Sequence, residues 1–320
     1  ETGAHTQRVV IEGSKCTGIE YKNNGKLVRA KASKEVIICT GGVASPQLME
    51  LSGIGQPDLL KSHGIEVKHE LTGVGEHLRD HINAPIKFHM KRGDLSYNKR
   101  MQGLGPAWQV LRYVFQKRGF MSLPSAPMLA FLKTRDDMET PDVQMHIVPY
   151  AVKNYKKRLL HDFPGITMAV YQLRPESLGS IHIQSPLASE QPAINFNFLS
   201  DQIDRDAMLG GVKKIRQIMD TEAMKKVRGD EFLPGREIES DDEILNYIRN
   251  TAETAYHPIG TCRMGQGPGA VVDDRLQVHG ISGLRIADGS IMPTMVSGNT
   301  NAACIMIGEK ASDMIKQDNS

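Results

Sequence analysis

Tyr256-His257-Pro258-Ile259-Gly260-Thr261-Cys262-Arg263-Met264-Gly265 is the stretch whose reading decides the fold. It follows a helical pattern and closes on glycine. Pro258 biases His257 out of the helical region and fixes the direction of its backbone. Gly260 and Gly265 let the chain turn tightly or approach a flat, large object. A histidine at such a transition is a candidate general base, because its ordinary pKa lies near neutrality. Taken alone, a packed or surface histidine is the ordinary reading of the same residues.

A second stretch changes the balance. Leu284-Arg285-Ile286-Ala287-Asp288-Gly289-Ser290 is an apolar run ending in Asp-Gly. Ile291 to Asn301 then forms a polar loop that opens a long helical pattern. The run reads as a strand that carries Asp288 to its C-terminal end, where open α/β sheets bind ligands. The following helix would present free N–H groups and positive dipole character to an anion. A base (His257), an amide hydrogen-bonder (Asn299) and a helix N-terminus could therefore converge on one ligand.

Two further stretches agree with these in order. Thr40-Gly41-Gly42-Val43-Ala44-Ser45-Pro46-Gln47-Leu48-Met49-Glu50-Leu51-Ser52-Gly53-Ile54-Gly55 and Gly73-Val74-Gly75-Glu76-His77-Leu78-Arg79-Asp80-His81 complete a set of four. Together the set resembles the C-terminal half of the glucose–methanol–choline (GMC) flavin oxidoreductases. The resemblance implies FAD as cofactor and oxidation of an alcohol to a carbonyl. It places His257 as base and Asn299 beside it on the substrate oxygen. It sets Ala287, Asp288, Gly289, Asn299 and Thr300 against the cofactor, with Thr6 near the adenosine end. The electron acceptor is not implied.

Some relatives carry a second histidine where Asn299 stands. The asparagine version looks like choline dehydrogenases and bacterial alcohol dehydrogenases. Choline dehydrogenases tend to have Ser-Cys-Thr after His-Pro, whereas here Ile259-Gly260-Thr261 follows. A primary aliphatic or aromatic alcohol is therefore the expected substrate class. An oxidase, a choline dehydrogenase, a lyase of the same fold family and a non-catalytic folded module stay open as rivals.

The fold class expected is α/β and α+β: an incomplete, Rossmann-like FAD-binding domain with an antiparallel-sheet substrate-binding domain. The expected division is 1–83 in the FAD domain, 84–240 in the substrate domain and 241–320 returning to the FAD domain. A flavin domain of this kind should open with strand, Gly-x-Gly-x-x-Gly and helix. That hexapeptide is absent from the 320 residues. The chain is read as a fragment lacking the N-terminal nucleotide-binding portion, expected to bind FAD poorly or not at all and to be inactive in isolation.

Composition narrows the classes. The chain is long enough for two cores. A net charge of +2 gives no electrostatic case for nucleic acid. No apolar run reaches spanning length. Cys16, Cys39, Cys262 and Cys304 show neither pairing nor metal spacing, which fits buried thiols in a reducing, cytoplasmic compartment. Peripheral contact with a membrane is left open. His77 and His81 lie four apart beside Asp80, a spacing that raises metal ligation as one reading. With no third ligand placed, structural duty is the better reading, and no metal site is expected.

Along the chain, 7–12, 16–21 and 27–33 read as strands, with Asn23-Asn24-Gly25 as a hairpin turn. Glu35–Cys39 reads as a buried parallel strand. Ser45-Pro46 reads as a helix start with Pro at the first helical position. Gly41-Gly42 reads both as a strand-to-helix turn and as backbone passing close to the cofactor. Residues 106–115 read as an amphipathic helix. Residues 167–173 and 180–184 read as paired strands. Met121, Met128, Phe131, Met145, Tyr150 and Tyr171 read as core, some of them lining a pocket. Ser240-Asp241-Asp242-Glu243 reads as a capping box. The last helix is expected over about 300–316.

Overall fold

The computed structural model describes residues 1–319 apart from 125, 155, 156 and 158. It is mixed α/β, and its contacts divide it into two compact units. One comprises Glu1–Asp80, Arg174–Asp201 and Tyr256–Ser320; the other comprises His81–Leu173 and Gln202–Ala255.

The first unit opens with an antiparallel meander of His5–Glu12, Lys15–Asn23 and Lys26–Lys31. Its second turn is set by Asn24 (φ 48°) and Gly25 (φ 78°). These are the left-handed values a two-residue hairpin needs, and Asn-Gly adopts them readily. Val36–Ile38 and Leu284–Ile286 pair in parallel despite lying about 250 residues apart in sequence. The pair is pinned by Arg285, only 2% exposed, whose guanidinium bonds Glu35 and Asp318 at 2.5 Å each. Asp318 lies at the end of the C-terminal helix Asn301–Asp318, so one buried cation ties that helix to the strand pair. Ile307 and Ala311 seat the helix on a core that includes Val9, Met49, Val272 and Ile286.

Several expectations are corrected in this unit. The helix starts at Gly41 rather than Ser45, and Pro46 lies inside Gly41–Leu51. Pro46 has no N–H for the carbonyl of Gly42, four residues back. The Thr261 hydroxyl supplies that bond instead, at 2.7 Å. Ser180–His182 does not pair with the 165–172 strand; it pairs with Ala193–Asn195. Leu78 and Gly179 exchange backbone bonds, and the Ile181 N–H donates to Gly75, which draws 174–201 into the first unit rather than the expected 84–240 region. Cys39 is exposed, whereas Cys16 and Cys262 are buried. In the last helix Ile305 and Met306 face outward, at 60% and 55% exposure.

The second unit is built on an antiparallel sheet in the order 228–233, 82–90, 165–172, 143–148, 128–132. Gly165–Gln172 is central and buried along its whole length. Helix Gln202–Met219 closes on it because Gly211 has no Cβ; one there would stand 2.6 Å from a Val170 methyl. Ser240 and Glu243 form both halves of a capping box at the start of helix Asp241–Thr251. This helix belongs with the sheet, not with the first unit as the 241–320 boundary implied. The Tyr247 hydroxyl donates to the Pro85 carbonyl, and Glu253–Thr254 pairs with Ile82–Asn83. Met145 and Tyr171 are core, as expected. Met121, Met128 and Phe131 are not; they are 44%, 51% and 48% exposed.

Candidate active site

His257 and Asn299 meet in the first unit, with Asn299 Nδ2 3.2 Å from His257 Nε2. An amide nitrogen only donates, so in this contact Nε2 accepts through its lone pair. The lone pair on Nε2 and an N–H of Asn299 thus satisfy each other directly.

The backbone that presents His257 is held from two edges. The His257 N–H donates to Asp80 Oδ1 at 2.9 Å. Ile259 and Arg79 exchange both backbone bonds, at 3.1 and 3.0 Å, and the Gly75 N–H donates to the Thr261 carbonyl at 2.8 Å. On the other edge Cys262 and Met264 donate to the carbonyls of Ser290 and Ile291, at 2.9 and 2.7 Å. Gly260 has φ +87°, and a Cβ there would lie 2.4 Å from the His77 carbonyl oxygen. Only glycine fits that crossing. Tyr256 just before it also takes a left-handed backbone, φ 61°, uncommon for a bulky residue.

Asp288 ties this ladder to the strand pair. Its carboxylate accepts from the Gly41 N–H (3.0 Å), the Ser45 hydroxyl (2.6 Å) and the Ser290 N–H (2.8 Å). The side chain is therefore a structural clamp between the 41–51 helix and the 288–291 turn. The Ala287 N–H is spent on the Ile38 carbonyl at 2.8 Å, so Ala287 has no backbone donor to offer a ligand. Gly289 is buried in the same turn. Thr300, 9% exposed, gives the C-terminal helix no side-chain cap, and the first turn carries no acidic residue. Arg174 Nη1 steadies the loop before it through Ser297 Oγ at 2.9 Å. Thr6 lies apart from this network, in the meander opposite Tyr21.

The two readings of Gly41-Gly42 separate. A Cβ on Gly42 would strike the Pro258 carbonyl oxygen at 2.2 Å, so this glycine serves the contact with the His-Pro turn. Gly41 has φ +82° and open space where a Cβ would stand. It adjoins the exposed Cys39 and Thr40 at the C-terminal end of the parallel strand. An open strand end and an uncapped helix N-terminus free of acidic side chains suit a flat ligand with an anionic edge.

Asp80, Thr261 and Ser45 are the contributors that sequence reasoning missed. Asp80 drew notice only as a neighbour of His77 and His81. Its carboxylate holds His257, while the His81 ring bonds the Leu173 carbonyl at 3.0 Å and leans on Tyr171. His77 is pushed below the ordinary histidine range by burial, then by Arg263. Burial, with Asp288 adding, raises the Cys262 and Cys304 thiols, which leaves both protonated near neutral pH.

Comparison with known proteins points to one family. Two GMC oxidoreductase family models match, the N-terminal one over residues 1–83 and the C-terminal one over 175–308. The chain is 38% identical to an alcohol dehydrogenase [acceptor] of Pseudomonas putida, over 98% of this chain and 57% of that one. It is 36% identical to an oxygen-dependent choline dehydrogenase of Chromohalobacter salexigens, over 99% of this chain and 56% of that one. It thus spans little more than half the length of these relatives. Among solved structures, formate oxidase superposes with a TM-score of 0.89 at 25% identity, covering 98% of this chain and 60% of that one. A fungal aryl-alcohol oxidase does so with 0.83 at 23%, with coverage of 98% and 60%. The chain belongs to the GMC oxidoreductase family.

Proposed function

We propose that the complete protein is an FAD-dependent dehydrogenase that oxidises a primary alcohol to an aldehyde. The observation that carries the reading is the pairing of His257 Nε2 with Asn299 Nδ2 on a backbone clamped by Asp80, Arg79 and Ser290. A substrate hydroxyl that displaces this direct contact gives its hydrogen bond to Nε2 and accepts one from Nδ2. Proton removal by the imidazole leaves negative charge on an oxygen that already faces the amide N–H. The Asp80 carboxylate, holding the His257 backbone, keeps Nε2 on that point. FAD, when bound, supplies the hydride acceptor. The backbone of Asp288 and Gly289 and the helix beginning after Thr300 are the places on this chain that would hold it. Thr6 is kept as a further backbone contact.

A primary aliphatic or aromatic alcohol fits better than choline. Ile259-Gly260-Thr261 is not the run expected beside choline, and an alcohol dehydrogenase stands among the similar relatives. In the complete protein, His257→Ala should lower turnover by about 10² or more with FAD retained. Unchanged turnover removes His257 from the reaction. An oxidase is the second reading, favoured by the oxidases among the structural neighbours. Peroxide formed in step with aldehyde, in place of dye reduction, would select it.

A further inference from the structure

Helix Gly105–Gln116 in the second unit is built inside out. Its buried residue is Gln109, at 6% exposure, and Gln109 Oε1 finds no partner among the described residues. Its large apolar residues face solvent. Leu104 is 87% exposed, Trp108 62%, Leu111 49% and Phe115 79%. These four recur at i, i+4, i+7 and i+11, which on a helix is one straight stripe about 16 Å long. A stripe of this kind normally turns to the core.

The charges around it are one-sided. Residues 95–135 contain seven Lys and Arg and no Asp or Glu, in a chain whose net charge is only +2. Arg112 flanks the stripe, while Lys117 and Arg118 close the helix. Lys117 takes a left-handed backbone (φ 52°) with its ammonium 5.1 Å over the Tyr113 ring.

We propose that this face docks on a membrane surface bearing anionic phospholipids. The stripe Leu104–Trp108–Leu111–Phe115 lies in the boundary between headgroups and acyl chains, and Arg112, Lys117 and Arg118 lie on the phosphates. Trp, Phe and Leu on one face with Lys and Arg beside them is the pattern of an interfacial helix. Twelve residues are too few to cross a bilayer, so the helix lies in the surface plane. Charge selects a lipid surface over a second copy of this chain. A two-fold contact through the stripe would set Arg112, Lys117 and Arg118 against their own copies. An anionic surface neutralises them.

Trp108 is the sole tryptophan, so its fluorescence reports on this face alone. The purified protein is mixed with vesicles of phosphatidylcholine, or of phosphatidylcholine with about a third phosphatidylglycerol. The expected result is a blue shift of Trp108 and co-sedimentation with the anionic vesicles. Binding to neutral vesicles should be weaker by about tenfold or more, and salt on the order of 0.5 M should release the protein. The pair Leu104→Asn and Phe115→Asn, both at highly exposed positions, should abolish binding without lowering the melting temperature. Equal binding to both vesicle types overturns the proposal, and so does binding to neither. A Trp108 blue shift that grows with protein concentration and without vesicles also overturns it, and assigns the face to a second copy.

Discussion

Two histidines in the first unit are used in opposite ways. His182 is a strut: Nδ1 lies 2.7 Å from Glu50 and Nε2 3.2 Å from Glu76, with Glu50 fully buried. His257 is presented: its main chain is bonded on both edges, and its Nε2 meets a side-chain amide at the surface. In the first case the fold spends the ring to stabilise itself. In the second the fold spends its hydrogen bonds on the backbone and leaves the ring to meet Asn299. The difference teaches that the two rings are told apart by what holds the main chain: the proposed base stands on a bonded backbone, whereas the strut bonds through its ring.

The sharpest way to break this contrast is to remove each ring. His182→Ala leaves the Glu50 carboxylate buried, with the Ile183 N–H at 2.8 Å and no cationic ring beside it, and should cost about 3–5 kcal/mol of stability. Urea unfolding measures it; a loss below 1 kcal/mol, as for an exposed pair, would show that His182 is no strut. His257→Ala should leave the unfolding midpoint within about 0.5 kcal/mol, as surface substitutions do, while turnover of the complete protein falls about 10² or more. If His257→Ala instead unfolds the protein, the contrast between the two rings disappears.

A smaller effect tests the backbone side. Thr261→Val removes the hydroxyl that bonds the Gly42 carbonyl and leaves that buried acceptor without its donor, at a cost of about 1–3 kcal/mol. Because the same contact sets the 41–51 helix against the His-Pro turn, turnover should fall along with stability. Thr261→Ser, which keeps the hydroxyl, should restore most of both. Lack of rescue by Ser would point to lost methyl packing rather than the hydrogen bond.

How much of this was legible in the sequence follows from the range of each signal. Asn23-Asn24-Gly25, the run ending at Cys39 and the Ser240 cap rest on a few adjacent residues, and their structures appear where local rules put them. Pro46 misled because its missing bond is supplied from Thr261, 215 positions away by number and invisible to local rules. The 180–182 strand misled because both neighbours fit its alternation, and the choice fell to Ala193–Asn195. The periodicity of 106–115 was legible and its direction was not: spacing tells which residues share a face, not which way the face turns. At the site, the pairing of His257 with Asn299 follows from four stretches whose order resembles that of the family. Asp80 and Thr261 were not, since an acid and a hydroxyl carry no sign of the backbone they hold.

The smallest effect concerns pH, and its sign separates the two histidines. Hydrogen bonding to Glu50 raises His182 above the ordinary histidine value; burial opposes this, and the charges of Glu50 and Glu76 add to the rise. A group whose folded pKa lies above its unfolded value binds its proton more tightly in the native state. Its contribution is therefore complete below about 6.5, the ordinary value, and is lost as pH rises through the higher folded value. The stability difference between the wild type and His182→Gln should accordingly be largest in mild acid and narrow as the solution turns alkaline. Titrations common to both proteins cancel in that difference, so the narrowing reports on this ring alone. A difference that stays flat across the window, or that widens with rising pH, would mean His182 sits between the two glutamates as a neutral hydrogen-bonder, and the strut would not be an ionic one.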